Sequence, residues 1–198
     1  MLTNLVYSGF LVTYCITSVI IDTNNPSASL FFGGITFSNY DGTISHCVNN
    51  SNNTTKSSYY LSGISLINMG TITNCINTGK ILNTYRNSYY DDIYYNAYIG
   101  GISGISYNGG IILNCINIGD IEGTYDTGGI AGTNYYYIDT FFPFTISNCI
   151  NAGYVKGRKR VGGILGMDYN NETSLSNCLN TGVVEGEEDV GSIVGKEN

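Results

Sequence analysis

GGISG at 100–104, followed by NCINIGDIEG at 114–123, is the clearest copy of a unit that the chain repeats. GGIAG at 128–132 and NCINAGYVKG at 148–157 form the next copy, and GGILG at 162–166 with NCLNTGVVEG at 177–186 the one after. Upstream stand SGISL at 62–66 with NCINTGKI at 74–81, and GGITF at 33–37 with HCVNN at 46–50. GSIVG at 191–195 opens a further unit. Cys47, Cys75, Cys115, Cys149 and Cys178 mark the register, spaced by 28, 40, 34 and 29 residues. Insertions at about 83–98 and 133–143 account for the longer spacings and leave a core period near 29, in the range of solenoid repeats.

The residue types decide what the unit builds. Gly and Asn favour turns, while Ile, Val, Thr and Tyr favour strands. Ile72, Cys75 and Ile76 have a helical spacing, but their Gly, Asn and β-branched neighbours overrule it. A bend at Asn74 turning both sides of the motif inward gives two or three short strands per unit, joined by Gly/Asn corners. The expected fold is therefore all-β, a parallel β-solenoid of about six rungs in one repeat domain spanning 1–198. Stacked at about 4.8 Å per rung, six rungs make a rod of roughly 25–30 Å.

Residues 2–21 carry no charge. Placing Cys15 on Cys75 sets Val12 on Ile72, Ile16 on Ile76, Ile21 on Ile81 and Thr17 on Asn77, so residues 1–32 read as a degenerate first rung and cap. No Lys or Arg stands near Met1, and Tyr14 precedes Cys15, which argues against a secretory or lipoprotein signal. No membrane span is expected. The last unit opens at Gly191 and stops at Asn198. It leaves either a natural continuation or an unpaired edge inviting end-to-end self-association.

Bulk composition narrows the function. Of 198 residues, 42% are hydrophobic and only 12% charged, with 26 Gly and 2 Pro. That apolar content separates the chain from a disordered linker. The net charge of −7, with 8 Lys+Arg, makes nucleic acid a poor partner. No HExxH, GxSxG or P-loop is present. Asp91 and Asp92 are adjacent and would point to opposite faces of a strand. The only histidine, His46, takes an Asn-column position. No enzyme activity and no cofactor are expected.

The unit resembles the GLUG repeat, a GGI-x-G segment followed by G-x-I-x-N-C-x-N-x-G-x-I. The likeness covers about residues 33–195 and departs in the first copy, where His46 replaces Asn. The resemblance implies a repeat region of a bacterial surface protein, of the kind found in IgA-cleaving peptidases. It thereby implies a cell-surface or secreted location and a non-catalytic role.

Two asparagine columns and one cysteine column read as structural. Asn74, Asn114, Asn148 and Asn177 suit left-handed corners. Asn49, Asn77, Asn117, Asn151 and Asn180 could bond along the stack. Cys75, Cys115, Cys149 and Cys178 read as buried thiols, although disulfide geometry does not forbid neighbours about 4.8 Å apart. A zinc site is not expected, because no CxxC pair exists. Arg158, Lys159 and Arg160 align over Glu187, Glu188 and Asp189, and Lys156 over Glu185, as a register device. Sequons at Asn49, Asn52, Asn53 and Asn171 include three in the polar stretch 49–58, which reads as an exposed loop.

The insertions supply the binding candidates: Tyr85, Tyr89, Tyr90, Asp91, Asp92, Tyr94 and Tyr95 in the first, and Tyr135, Tyr136, Tyr137 and Asp139 in the second. Tyrosine offers contact area and a hydroxyl at low entropy cost. The expected function is adhesion to a glycan or a host or surface protein. The alternatives are a stalk or spacer segment and, behind it, a carbohydrate-active β-helix enzyme.

Overall fold

The computed structural model describes residues 3–6, 9–18, 21–23, 31–55, 60–83, 97–107, 109–135, 143–169, 171 and 173–197. Among these the chain is all-β and coils as a parallel β-solenoid. Each rung carries five short strands. In the fourth rung they are Ser103–Ser106, Ile111–Leu113, Ile116–Asn117, Ile121–Glu122 and Tyr125–Gly128. Corresponding strands of successive rungs pair in parallel, making one seven-stranded and four six-stranded sheets. That is six full rungs and the opening strand of a seventh among the described residues. Five strands replace the expected two or three, because the corners at the GGI pair, at Asn114 and at Gly119 cut the rung into pieces as short as two residues.

The rung register is strict. Val12 pairs with Ile44, Ile44 with Ile72, Ile72 with Ile112 and Ile112 with Ile146. Ile16 meets Val48, Thr17 meets Asn49, and Ile21 meets Asn53. Hydrogen bonds between rungs continue through the corners, where no strand is assigned. Asn74 N donates to Leu113 O at 3.1 Å, and Ile116 N donates to Cys75 O at 3.0 Å. The corner backbone is thereby satisfied without water, as a buried main chain requires.

Each asparagine column has its own task. Asn74, Asn114, Asn148 and Asn177 take φ of 52–54° with exposed side chains, and Tyr14 and His46 hold the same corner at φ 53°. Asn is the residue that tolerates this conformation. His46 stacks on Tyr14, ring centroids 5.1 Å apart. The other column is a buried amide ladder. Thr17 Oγ1 donates to Asn49 Oδ1 at 2.8 Å. Asn49, Asn77 and Asn117 each donate through Nδ2 to the next Oδ1 at 2.7 Å, and Asn151 donates to Asn180 at 2.8 Å. The second amide proton of Asn117 reaches Gly119 O at 2.8 Å.

Turning both sides of the corner inward was expected of Ile76, and the structure corrects this. After the corner the pleat places Cys75 and Asn77 inside, fully buried, and Ile76 between them facing out. Room for the amides comes from the glycine pairs. A Cβ at Gly101 would lie 2.3 Å from Gly129 O and 2.5 Å from the Asn117 amide carbon.

Two apolar stacks fill the rod. The larger joins the Ile of each GGI corner to the Ile72 and Cys75 columns. The smaller holds Phe32, Leu61, Ile81, Ala97, Ile99 and Ile121. Asn53 occupies the Ile81 position of the smaller stack, 2% exposed, with neither amide atom bonded. Its burial, and that of Asn49, Ser51 and Thr55, corrects the exposed-loop reading of 49–55. Here the rung's period of two overrides polar composition. Asn52 and Asn171 are the sequon positions left exposed. No helix among the described residues is long and apolar enough to cross a membrane.

Two substitutions separate these roles by urea denaturation. Asn117→Ala orphans ladder partners on both sides and should cost about 3 kcal/mol, while Asn114→Gly at the corner should be close to neutral. Asn53→Ile removes two unsatisfied buried atoms and restores the column's residue type, so it should raise stability by about 2 kcal/mol. A destabilised Asn53→Ile protein would contradict this account of the smaller stack.

Candidate functional site

The binding residues named from the insertions are Tyr85, Tyr89, Tyr90, Asp91, Asp92, Tyr94, Tyr95, Tyr136, Tyr137 and Asp139. They lie outside the described residues; Tyr135 lies within them. What the described residues form beside them is an aromatic groove. Phe31, Tyr60 and Tyr98 occupy one column of the sheet built from the fifth strands. Their rings stack at 5.1 and 4.9 Å, inclined by 21° and 29°. With Phe37, Leu66, Ile67, Ile105 and Tyr107 they line an open groove of about 200 Å³. Phe31 is 44% exposed at one end, while Tyr98 is buried.

A second row of rings runs beside it. Tyr107, Tyr135 and Tyr169 directly follow Ser106, Asn134 and Asp168, which pair in register. Tyr135 meets Tyr107 edge-on at 6.1 Å and Tyr169 edge-on at 5.6 Å. Tyr135 is 39% exposed. The first insertion rejoins the described chain at Ala97–Tyr98, and the second leaves it at Tyr135. Both insertions therefore attach at the border of this aromatic strip. Of its rings only Tyr135 is among the candidates named from the sequence, and Tyr98 ends the first insertion. The others come together from positions about a rung apart, and only the repeat register could have found them.

The Tyr98 column changes character in the later rungs. Strand pairing of Ile99 with Thr127 and of Tyr125 with Lys159 sets Asp126, Arg160 and Asp189 in turn on that column. All three have positive φ, 39°, 57° and 53°. Arg158 pairs with Glu187 at 3.1 Å and Lys159 with Glu188 at 2.7 Å, as the alignment predicted. Lys156 pairs in register with Glu185. Arg160 departs from the alignment. Its Nε donates to Asp126 Oδ1 of the preceding rung, and Lys196 meets Asp189 at 3.3 Å. The Asp126 side chain is fully buried while that of Asp189 is a quarter exposed, so the attraction is stronger where water screens it less. Tyr169 Oη donates to Asp126 Oδ2 at 3.4 Å. The Arg160 guanidinium lies 5.7 Å from the centre of the Tyr125 ring and 6.0 Å from that of Tyr169. Burial, aided by Asp126, pushes the Tyr169 hydroxyl up to about 12.

The wider charged groove, about 570 Å³, runs past Glu122, Lys156, Arg158, Glu185 and Glu187. Its charges alternate from rung to rung, so it presents no single sign to a ligand. Among the described residues no three or more His, Cys, Asp or Glu side chains converge on one point where they could together hold a metal ion.

No family model matches the chain, and no curated protein does. A similar solved structure is described as that of a "putative immunoglobulin A1 protease from Bacteroides ovatus". It shares 18% identity, with 96% of this chain and 74% of that chain covered and a TM-score of 0.41. The parallel coil stands on the strand pairing given above, and that protein's activity is its own.

Asp126 sets a pH dependence. Burial raises its carboxyl from 3.8 to about 6, against the opposing pull of Arg160. The stability this group contributes is full below pH 3.8, falls as pH rises through 6, and is flat above that. The size is about 3 kcal/mol. Asp126→Asn removes the titration. The stability difference between parent and variant, from urea curves at pH 4 and pH 7.5, should therefore change by about that amount. An unchanged difference would dismiss the shifted carboxyl.

Proposed function

We propose that this chain is a non-catalytic surface or secreted repeat module that binds a glycan or a surface protein through its aromatic strip. The observation that carries the reading is the open groove of stacked rings on a rod that its core does not require. Apolar side chains line it where a rod serving only as a spacer would be polar, and exposed apolar surface of this kind marks interaction sites. Both tyrosine-rich insertions attach at its border, which is where loops on a solenoid concentrate contact residues.

Ring geometry narrows the occupant. Stacking at about 5 Å covers the ring faces, so the groove wall presents ring edges with Leu66, Ile67 and Ile105. Such a wall suits an apolar side chain of a protein partner. Free ring surface on which a sugar can stack is offered instead by exposed Tyr135 and by the tyrosines of the insertions. The surface location rests on the resemblance of the unit to GLUG repeats.

A glycan array and a cell-surface binding screen on three proteins test this. They are the parent, a Phe31→Ser/Tyr135→Ser protein, and one with Tyr89, Tyr90, Tyr94, Tyr95, Tyr136 and Tyr137 all changed to Ser. Binding by the parent that falls at least tenfold in either variant supports the module and locates its site. A parent that binds nothing favours the stalk reading.

A further inference from the structure

The cysteine column is unused by any of this. It holds one thiol in each of six rungs, Cys15, Cys47, Cys75, Cys115, Cys149 and Cys178, and all six are free. The four inner ones are fully buried and the outer two half-buried. Packing alone does not demand sulfur at every rung. The neighbouring Ile76 column drifts among Ile, Val and Leu, whereas no Ala, Ser or Val replaces a cysteine. Each sulfur from Cys47 to Cys178 also touches a carbonyl oxygen of the preceding rung, Val12, Ile44, Ile72, Ile112 and Ile146 in turn.

Spacing decides which chemistry fits. Equivalent atoms of successive rungs lie about 4.8 Å apart. A disulfide needs sulfurs about 2.05 Å apart and Cβ atoms no further than about 4.5 Å apart; Cα spacing alone allowed one, but a strict stack keeps the Cβ atoms slightly too far apart, and all six thiols are free. A thiolate–metal bond is about 2.3 Å. One ion between two sulfurs therefore spans about 4.6 Å, which matches the rise. Tetrahedral zinc needs four ligands, more than one gap supplies. Charge narrows the class further. Thiolates alternating with monovalent ions nearly cancel along a buried column, whereas divalent ions would build up positive charge there. Thiolate prefers soft ions such as Cu(I).

We propose that the cysteine column binds soft monovalent cations of the Cu(I) and Ag(I) class, each two-coordinate between the sulfurs of adjacent rungs. Six thiols and five ions give five bridges and ten S–M bonds, two at each inner sulfur and one at each outer one, with six protons released and one negative charge left over. The backbone tolerates the exchange. Thiol protons now go to Thr73 O, Leu113 O and Ser147 O, at 3.2–3.3 Å. Those carbonyls already accept His46 N, Asn74 N and Asn114 N, so none is orphaned when the S–H is lost.

The full chain, reduced and kept anaerobic, is titrated with Ag(I), and with Cu(I) against a chromophoric chelator. Ultraviolet charge-transfer absorption, proton release and circular dichroism are followed together. The expected result is five ions per chain, a higher melting temperature and an unchanged β spectrum. Cys115→Ser removes two of the five gaps between sulfurs, so binding should drop from five ions to three. Cys178→Ser should give four, and serves if the central variant does not fold. Six ions with one per thiol, reaction confined to Cys15 and Cys178, loss of the β spectrum on binding, or equal affinity for Zn(II) would each overturn the proposal.

Discussion

Everything in this molecule depends on hydrogen bonds running along the rod between identical positions of successive rungs. Once the main chain of one rung pairs with the next through strands and corners alike, each residue is placed over its counterpart, and a rung becomes a set of columns. A column can hold only what tolerates its own copy about 4.8 Å away. Amides do so by donating to each other, as from Asn49 to Asn180. Isoleucines do so by packing, and thiols by their size. Glycine pairs at the sharpest turn follow from the same constraint, since Gly101 leaves the space that the Asn117 amide fills.

Charge obeys the rule in reverse. Like charges stacked at this spacing repel, so the later rungs alternate: Glu122 over Lys156 over Glu185, and Lys159 over Glu188. Exposed pairs of this kind stabilise little, and their consequence lies in register. The buried Asp126 differs. It sits where the earlier rungs carry Tyr98 and Tyr60, and a carboxylate there is tolerated only with Arg160 and Tyr169 directed at it. The column thus switches from stacked rings to an ion pair within one rung, and the groove's apolar wall ends at that point.

The sequence made the repeat, its register and its asparagine and cysteine columns legible, because each is a coincidence of residue types at a fixed period. Placing Cys15 on Cys75 predicted the pairing of Val12 and Thr17 with their counterparts. Other features carried no such signal. Strands of two residues, such as Ile116–Asn117, are too short to show alternation, so five strands per rung looked like two or three. A bend at Asn74 was expected to turn Ile76 inward, whereas the pleat after the corner gives the inward positions to Cys75 and Asn77. Arg160 aligned with Asp189, and only depth of burial showed that Asp126 is the better partner. The aromatic groove has no local motif, since Phe31, Tyr60 and Tyr98 meet solely through the coil.

A rod of columns also limits how function is added to it. Side chains on the coil are locked to the rung spacing, so stacked rings hide their faces, and regular columns produce a wall of edges. Surface that departs from the spacing arises where the regular coil is interrupted, at insertions or at an end ring such as Phe31. Tyr135 is the described residue where both conditions meet. It continues a regular strand, contacts Tyr107 and Tyr169 edge-on, and immediately precedes an insertion. Recognition on such a scaffold is therefore expected to join a rigid apolar groove to irregular contacts beside it. The groove fixes the orientation of a partner at little entropic cost, and the insertions supply the chemical variety that a repeating column excludes.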